Sequence, residues 1–351
     1  MKALSSLAVI VVLIGCGRQT ATQIAAPYPS VSAPENWPQY SPDPSWSLKA
    51  AEMRSEYIND GDSYQQNLQD YSPTGDFLNW GLTDQHQYRD IPGRMKLDEN
   101  GVPMVAYDGT FYYNPVTVAQ FALAQHGMFV RGMSSDLTQF WAGVNKILEL
   151  QNADGSFRNE FDFWYYLNPN YFHAPWTSGM YQGQCLSVLA RAWQLTDDGT
   201  FLEAGNRAFD FLRMKVIDGG DTDDLSSLDP SLSSYVYAEE YPVVPSSYTL
   251  NGFMFAMLGV YDWSQVSPKG LYQRAATVYF SRCVRTLSHI LPYYEVGGWS
   301  AYDLGHITYH HSPHMFSNYH AIHIYELHAL YSITGNAVLK DYEMLWRSYV
   351  P

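Results

Sequence analysis

"NPVTVAQFALAQHGMFVRGMSSDLTQFWAGVNKILELQNADG", Asn114 to Gly155, decides the fold. Asn114 offers an N-cap and Pro115 the first helical position, after which Val116, Ala119 and Leu123 recur on one face. Leu137, Phe140, Trp141, Val144 and Leu148 repeat the helical period after the Ser134 to Asp136 start signal, and Asp154-Gly155 closes the run. Two helices joined by a short loop make a helical hairpin.

The hairpin recurs downstream. A helix near Ser178 to Leu195 joins through "TDDGT" to one carrying Phe201, Ala204, Ala208 and Leu212. A third pair covers about Ser246 to Tyr261 and Leu271 to Leu291, and a fourth about Asn318 to Ile333 and Ala337 to Tyr349. About four such hairpins, with inner helices rich in small and polar residues, predict a mainly α fold, an α/α toroid over 114–351. The repeats share no fixed period, which sets them apart from a solenoid. Upstream, residues 47–113 give mixed signals: a short helix near Leu48 to Tyr57 and a β-hairpin near Met95 to Val105 around Glu-Asn-Gly.

The first residues, "MKALSSLAVIVVLIGCG", read as a lipoprotein signal peptide over 1–15 with lipid attachment at Cys16, followed by a Pro- and Ser-rich tether over 16–46. The expectation is an exported protein, lipid-anchored at a bacterial outer membrane and facing the periplasm or the cell surface. Cys185 and Cys283 lie in apolar helical patterns and read as buried thiols, so a disulfide scaffold is excluded.

A formal net charge of −15 excludes a nucleic-acid partner and broad attraction to a heavily sulfated polymer, so an acidic substrate must be met by a local positive or donor-rich pocket. Aromatic residues make up 16% of the chain, a composition that serves a sugar cleft or a Tyr-rich core equally well. Unusual residues gather in three places between the helices. Phe161 to Gln184 is dense in aromatics and carries His173, Trp176 and Gln182; Tyr237 to Phe253 carries Glu239, Glu240, Tyr241 and Asn251. The stretch from Gly297 to His328 holds seven histidines. None of those histidines forms the helical i, i+4 pair with a flanking Glu that marks zinc hydrolases, so no metal and no cofactor is expected. A His-rich loop offering donors to carboxylates and hydroxyls fits better. Ser246-Ser247 lacks a nucleophile elbow, and Glu239/Glu240 leave glycoside hydrolysis open as a rival.

Three segments together resemble the C-terminal catalytic region of the D-glucuronyl C5-epimerases, which convert glucuronate to iduronate within heparosan and heparan chains. They are "MYQGQCLSVLARAWQLT" at 180–196, "EEYPVVPSSYTLNGFMFAMLGVYDW" at 239–263, and "YDLGH" at 302–306 with "NYHAIHIYELHALYSITG" at 318–335. The resemblance runs from about Tyr112 to the C-terminus and implies an α/α barrel and an isomerase acting on a uronic-acid polysaccharide. The family's Glu-Tyr pair falls on Glu240 and Tyr241, and two further tyrosines on Tyr302 and Tyr319. His306, His320, His323, Asn251, Gln182, Trp176 and His173 are then the expected substrate-binding residues. Two departures stand out. Gly305 occupies the place of an arginine thought to hold the uronate carboxylate in the animal enzymes, and 47–113 is too short for the β-sandwich those enzymes carry.

Inverting C5 of a uronate requires a proton to leave one face and another to arrive on the opposite face. The expectation is Glu240 or Tyr241 on one side and Tyr319 on the other, with nearby histidines lowering a tyrosine's pKa. Expulsion of the 4-O substituent by the same carbanion makes a polysaccharide lyase the nearest chemical rival, and a non-catalytic glycan-binding lipoprotein is a third reading. Pairing into a homodimer stays open.

Overall fold

The computed structural model describes Trp37, residues 40–165 and residues 171–351; the expected signal peptide, Cys16 and most of the tether lie outside the described residues. Helix α1 is Trp46–Asp60, followed by turns with no regular period and a three-stranded sheet, β1 Met95–Leu97, β2 Pro103–Tyr107 and β3 Thr110–Tyr112. The expected hairpin is β1–β2, in antiparallel register with Met95 opposite Val105, and β3 adds an outer strand.

The helical hairpins follow as α2 Pro115–Val130 with α3 Thr138–Leu150, and α4 Gly179–Thr196 with α5 Gly199–Leu212. Then come α6 Leu250–Val266 with α7 Leu271–Tyr294, a single turn α8 Gly305–Thr308, and α9 Ser317–Thr334 with α10 Ala337–Arg347. Asn114 caps α2 as its sequence suggests, its Oδ1 accepting from the Val116 N–H at 3.0 Å.

The first helix of each pair faces inward. Every residue of α4 from Gly179 to Ala192 is buried, as is every residue of α6 from Leu250 to Val260, so both helices are enclosed on all sides. The second helices bury one face only. Neighbouring inner helices touch in the order α2, α4, α6, α9, and each packs on its own outer partner. The Phe77–Asn79 turn touches both α2 and α9 and closes the ring between them. The result is an α/α toroid of four hairpins completed by an irregular N-terminal segment.

Connecting loops form two-residue ribbons: β4 Arg158–Asn159 with β7 Trp176–Thr177, β5 Phe163–Trp164 with β6 Tyr171–Phe172, and β8 Thr222–Asp223 with β9 Tyr237–Ala238. Helix α6 begins four residues later than the sequence suggests. Tyr248 sits at φ 54°, and Ser246 and Ser247 are spent on the loop: the Ser246 hydroxyl donates to Asp223 Oδ2 at 2.6 Å, and Ser247 Oγ accepts from the Tyr165 hydroxyl at 2.9 Å. The described end of the expected tether is also packed rather than free. Trp37 is buried against His289 and Tyr235, and the Tyr40 hydroxyl contacts His306 Nε2 at 3.2 Å. Cys185 and Cys283 are free, buried thiols.

Inner helices α4 and α6 approach closely because glycine stands at their crossing. A Cβ on Gly183 would lie 2.4 Å from Ala256 Cα, and one on Gly259 would lie 1.9 Å from the Gly183 carbonyl oxygen. Backbone cannot yield there as a flexible side chain would. Gly183→Ala is therefore expected to cost about 2 kcal/mol or more, read as a lower denaturant midpoint at unchanged slope. Gly199→Ala, where an added Cβ meets nothing, should change stability by less than about 0.5 kcal/mol.

Candidate functional site

At one end of the ring a cavity of about 460 Å³ opens between the loops and the heads of α2, α4, α6 and α9. Its carboxylate is Glu240, the only Asp or Glu among the lining residues. Strand β9 delivers it: the Glu239 N–H donates to the Asp221 carbonyl and the Gly179 N–H to the Glu239 carbonyl, both at 2.7 Å, fixing the chain across the head of α4. Glu240 then rests on the first turn of α6, where a Cβ at Gly252 would come within 2.3 Å of Oε2. A helix N-terminus favours the anion there. Oε1 accepts from the Tyr302 hydroxyl at 3.3 Å. Burial nevertheless dominates and raises the Glu240 pKa from 4.5 to about 7.

Tyr302 is held by its backbone, its N–H on the His314 carbonyl at 2.8 Å and its carbonyl accepting from the Leu250 N–H at 3.0 Å. Its ring lies 4.5 Å from that of Tyr319, in the first turn of α9. Tyr241 belongs to an aromatic wall in which Tyr165 is 4.4 Å away and Trp176, Phe163 and Phe172 are within 6.4 Å. The Trp176 indole N–H donates to the Phe161 carbonyl at 2.9 Å, which fixes the platform. Thus Glu240, Tyr241, Tyr319, Trp176 and Asn251 all line the cavity, and Tyr302 stands directly behind Glu240.

The other expected residues are placed elsewhere. Gln182 is buried and donates to the Phe157 carbonyl and the Thr177 hydroxyl, a local brace. His173 is exposed beside Asp162 and lies outside the lining. His320 bridges Ser300 and the Trp346 carbonyl while stacked 3.9 Å from Trp299, and His323 meets the Ser300 hydroxyl at 2.8 Å. His306 is packed among Tyr40 and Trp46. Helical geometry explains the split: Asn318, Tyr319, Ile322 and Tyr325 share the face of α9 that looks into the cavity, His320 lies on the opposite side, and His323 falls at the edge between them, turned to Ser300. The expectation that these histidines hold a carboxylate is corrected accordingly. Burial lowers His320 to about 3 and His306 to about 4, so both are neutral struts.

A second correction concerns the tyrosines. No histidine lowers them; burial and the Glu240 charge raise Tyr319 to about 12 and push Tyr241 well above its usual range. Both are hydroxyl donors at neutral pH, and Glu240 is the group that titrates there.

The opposite wall was not anticipated. Trp80, Gln85, His86 and Tyr88 come from the irregular turns, Tyr107 from β2, and Asn114, Thr117 and Gln120 from the head of α2. His86 stacks 4.2 Å from Trp80, its Nδ1 sits 2.8 Å from the Thr83 hydroxyl, and burial lowers it to about 3. One signal was available in the sequence: Asn114, Thr117 and Gln120 make a polar stripe on an otherwise apolar helix. Among the described residues, no lysine or arginine lines this cavity.

Residues 151–348 match the sequence family described as the D-glucuronyl C5-epimerase C-terminus. Over 184 residues the chain is 32% identical to a D-glucuronyl C5-epimerase of Caenorhabditis elegans, a match covering 50% of this chain and 29% of that protein. Over 173 residues it is 28% identical to an uncharacterised protein of Methanocaldococcus jannaschii, covering 49% and 52%. These matches therefore span about half or less of each relative. A solved polysaccharide lyase superposes with a TM-score of 0.44 at 11% identity, covering 86% of this chain and 82% of that one.

The Glu240 carboxyl gives the site a measurable signature. Because its folded pKa is raised, its contribution to stability is complete below the unfolded value near 4.5 and is lost as pH rises toward 7. Carbon-13 glutamate NMR should show a carboxyl titrating near 7 that is absent in Glu240→Gln. The same substitution should stabilise the protein at pH 8 relative to pH 5, by at most on the order of 3 kcal/mol.

Proposed function

The chain belongs to the D-glucuronyl C5-epimerase C-terminal family, and from that premise we propose that it is a polysaccharide uronate C5-epimerase, converting D-glucuronate to L-iduronate residues in an unsulfated, heparosan-like chain. The observation that carries the reading is Glu240: a buried carboxyl of pKa about 7 in a cavity whose other ionisable groups are tyrosines and His86, all neutral at pH 7. A general base works best when its pKa lies near the working pH.

In this reading Glu240 takes the C5 proton, and the electron pair moves into the uronate carboxylate. Tyr319, with Tyr241 as the second donor beside it, supplies a proton to the other face of C5. The tyrosinate left behind is the stronger base, so the proton on Glu240 passes to it. Tyr302, bonded to Glu240 and adjacent to Tyr319, is the connecting hydroxyl. Neutral donors from Asn114, Gln120, Asn251 and Asn318 stand where the developing dianion needs stabilisation. Phe163, Trp176 and Tyr241 offer flat faces to sugar rings. Glycoside hydrolysis by a carboxylate pair fits less well, since Glu239 does not reach the lining. The exported, Cys16-anchored location expected from the sequence belongs to the same proposal, as does action without a cofactor or metal.

Incubation with unsulfated heparosan in heavy water, read by NMR, is expected to place deuterium at C5 and to produce iduronate without chain cleavage. Glu240→Gln should lower that exchange by about 10²- to 10⁴-fold. Tyr319→Phe should suppress iduronate formation to a similar extent, and Tyr302→Phe by roughly tenfold. Full exchange in both Glu240→Gln and Tyr319→Phe overturns the assignment, and an unsaturated uronate with chain cleavage identifies a lyase instead.

A further inference from the structure

A second concavity, of about 540 Å³, lies on the outside of the ring along the N-terminal half of α7, and it shares no lining residue with the first. Arg274 and Arg282 line it from α7, and Arg213 and Lys215 from the end of α5 and the loop that follows. All four are exposed. In a chain with 20 Lys and Arg against 35 Asp and Glu, four cations on one groove are a local reversal of the prevailing charge. Only Arg213 is neutralised, by Asp210 at 2.6 Å. Among the described residues, Lys215, Arg274 and Arg282 have no carboxylate within 4.0 Å.

The rest of the lining is mixed in a specific way. Asp223, Asp224 and Ser233 set acceptors among the cations, and Leu271 and Val278 add exposed apolar surface, 73% and 60% accessible. A polyhydroxy acid suits that mixture: cations for its carboxylates, acceptors for its hydroxyls, and methyl groups against the C–H faces of its rings. An anionic membrane asks for a flat, uniformly positive face, which the two aspartates and the concavity do not provide. The groove also borders the catalytic cavity through one ribbon. Thr222 and Asp223 of β8 line it, and the paired β9 runs directly into Glu240.

We propose that this groove is an exosite for a carboxylate-bearing polysaccharide, holding a distal stretch of the same chain whose reacting residue lies against Glu240. The identity of the chain rests on the epimerase reading; the existence of an anionic glycan site does not. It answers how an acidic protein with no Lys or Arg lining its catalytic cavity retains an acidic polymer. The attraction is long-ranged and salt-dependent outside, and the reacting residue is handled by neutral donors inside.

The test uses the full chain carrying Glu240→Gln, so that binding is read without turnover. Probes are unsulfated heparosan polymer, its tetrasaccharide, alginate, neutral dextran of matched length and phosphatidylglycerol vesicles. Lys215→Ala/Arg274→Ala/Arg282→Ala is expected to weaken polymer binding about tenfold or more, with tetrasaccharide binding unchanged. Arg274→Lys/Arg282→Lys should keep polymer affinity within about threefold, and raised salt should weaken the parent but not the triple variant. In the unsubstituted protein, polymer should protect Lys215 from an amine-reactive label, a readout that needs no variant to fold. Unchanged polymer affinity in the triple variant, equal affinity for dextran, preference for the vesicles, or no polymer binding and no Lys215 protection each overturn the exosite. Absence of C5 exchange in the unsubstituted protein, with cation-dependent polymer binding retained, overturns the epimerase reading alone.

Discussion

One guanidinium ties the ring to the segment that completes it. Arg191 of α4 is fully buried, donating at 2.9 Å to Asp262 Oδ2 of α6, at 2.9 Å to the Ser187 carbonyl and at 3.1 Å to the Gly75 carbonyl. The Tyr71 hydroxyl donates to the same Asp262 oxygen at 2.9 Å. A buried ion pair adds little net stability against an apolar substitute, yet removing one partner strands the other charge at roughly 3–5 kcal/mol. Its consequence here is positional. Two inner helices and the N-terminal chain meet at one charge, and the residues that follow Gly75 close the gap between α2 and α9. Trp80, Gln85, His86 and Tyr88 reach the cavity only because that chain is held in place.

The hairpins were legible because each helix carries its own signal. Outer helices show one apolar face, inner helices are apolar with small residues, and Asn114-Pro115, Asp198 and Asn336 announce their starts. Periodicity failed at two kinds of place. At Pro245 to Tyr248 a proline followed by serines imitates a helix start, but the serine hydroxyls bond to Asp223 and Tyr165 across the loop, and only the tertiary partners distinguish the two uses. Between Ser63 and Asp90 the chain makes single turns with Leu78 and Asn79 at positive φ, for which no repeat exists to be read. Four residues of the cavity wall, Trp80, Gln85, His86 and Tyr88, therefore come from a stretch with no regular pattern.

Within the site, chemistry and composition parted company. Seven histidines in one stretch look like a ligand-binding loop, yet the packing of α9 turns His320 and His323 toward Ser300 and Trp346, where burial keeps them neutral. Their i, i+3 spacing lets the two imidazoles meet one serine hydroxyl. Glu240, Tyr302 and Tyr319 are far apart in sequence, and no spacing rule joins them; family resemblance named them, and the loops bring them to one end of the ring.

Placement of positive charge then follows from what the base requires. A cation beside Glu240 would favour the carboxylate and pull its pKa down, and each unit lost makes a weaker base toward an already reluctant C–H bond. A lining without Lys or Arg among the described residues leaves burial as the dominant influence and keeps that pKa near 7. On the proposed function, a uronate carboxylate entering the same cavity adds a second negative charge and raises Glu240 further, so binding of the anion favours uptake of a proton. In that reading the proton must leave Glu240 before C5 is attacked, and Tyr302, bonded to Glu240 and in ring contact with Tyr319, lies on the proposed route. In the proposed exosite, cations confined to the outer groove would attract the polymer without entering this balance. On the proposed reading, separating attraction from proton transfer lets an acidic protein keep a base of pKa about 7 in its cavity.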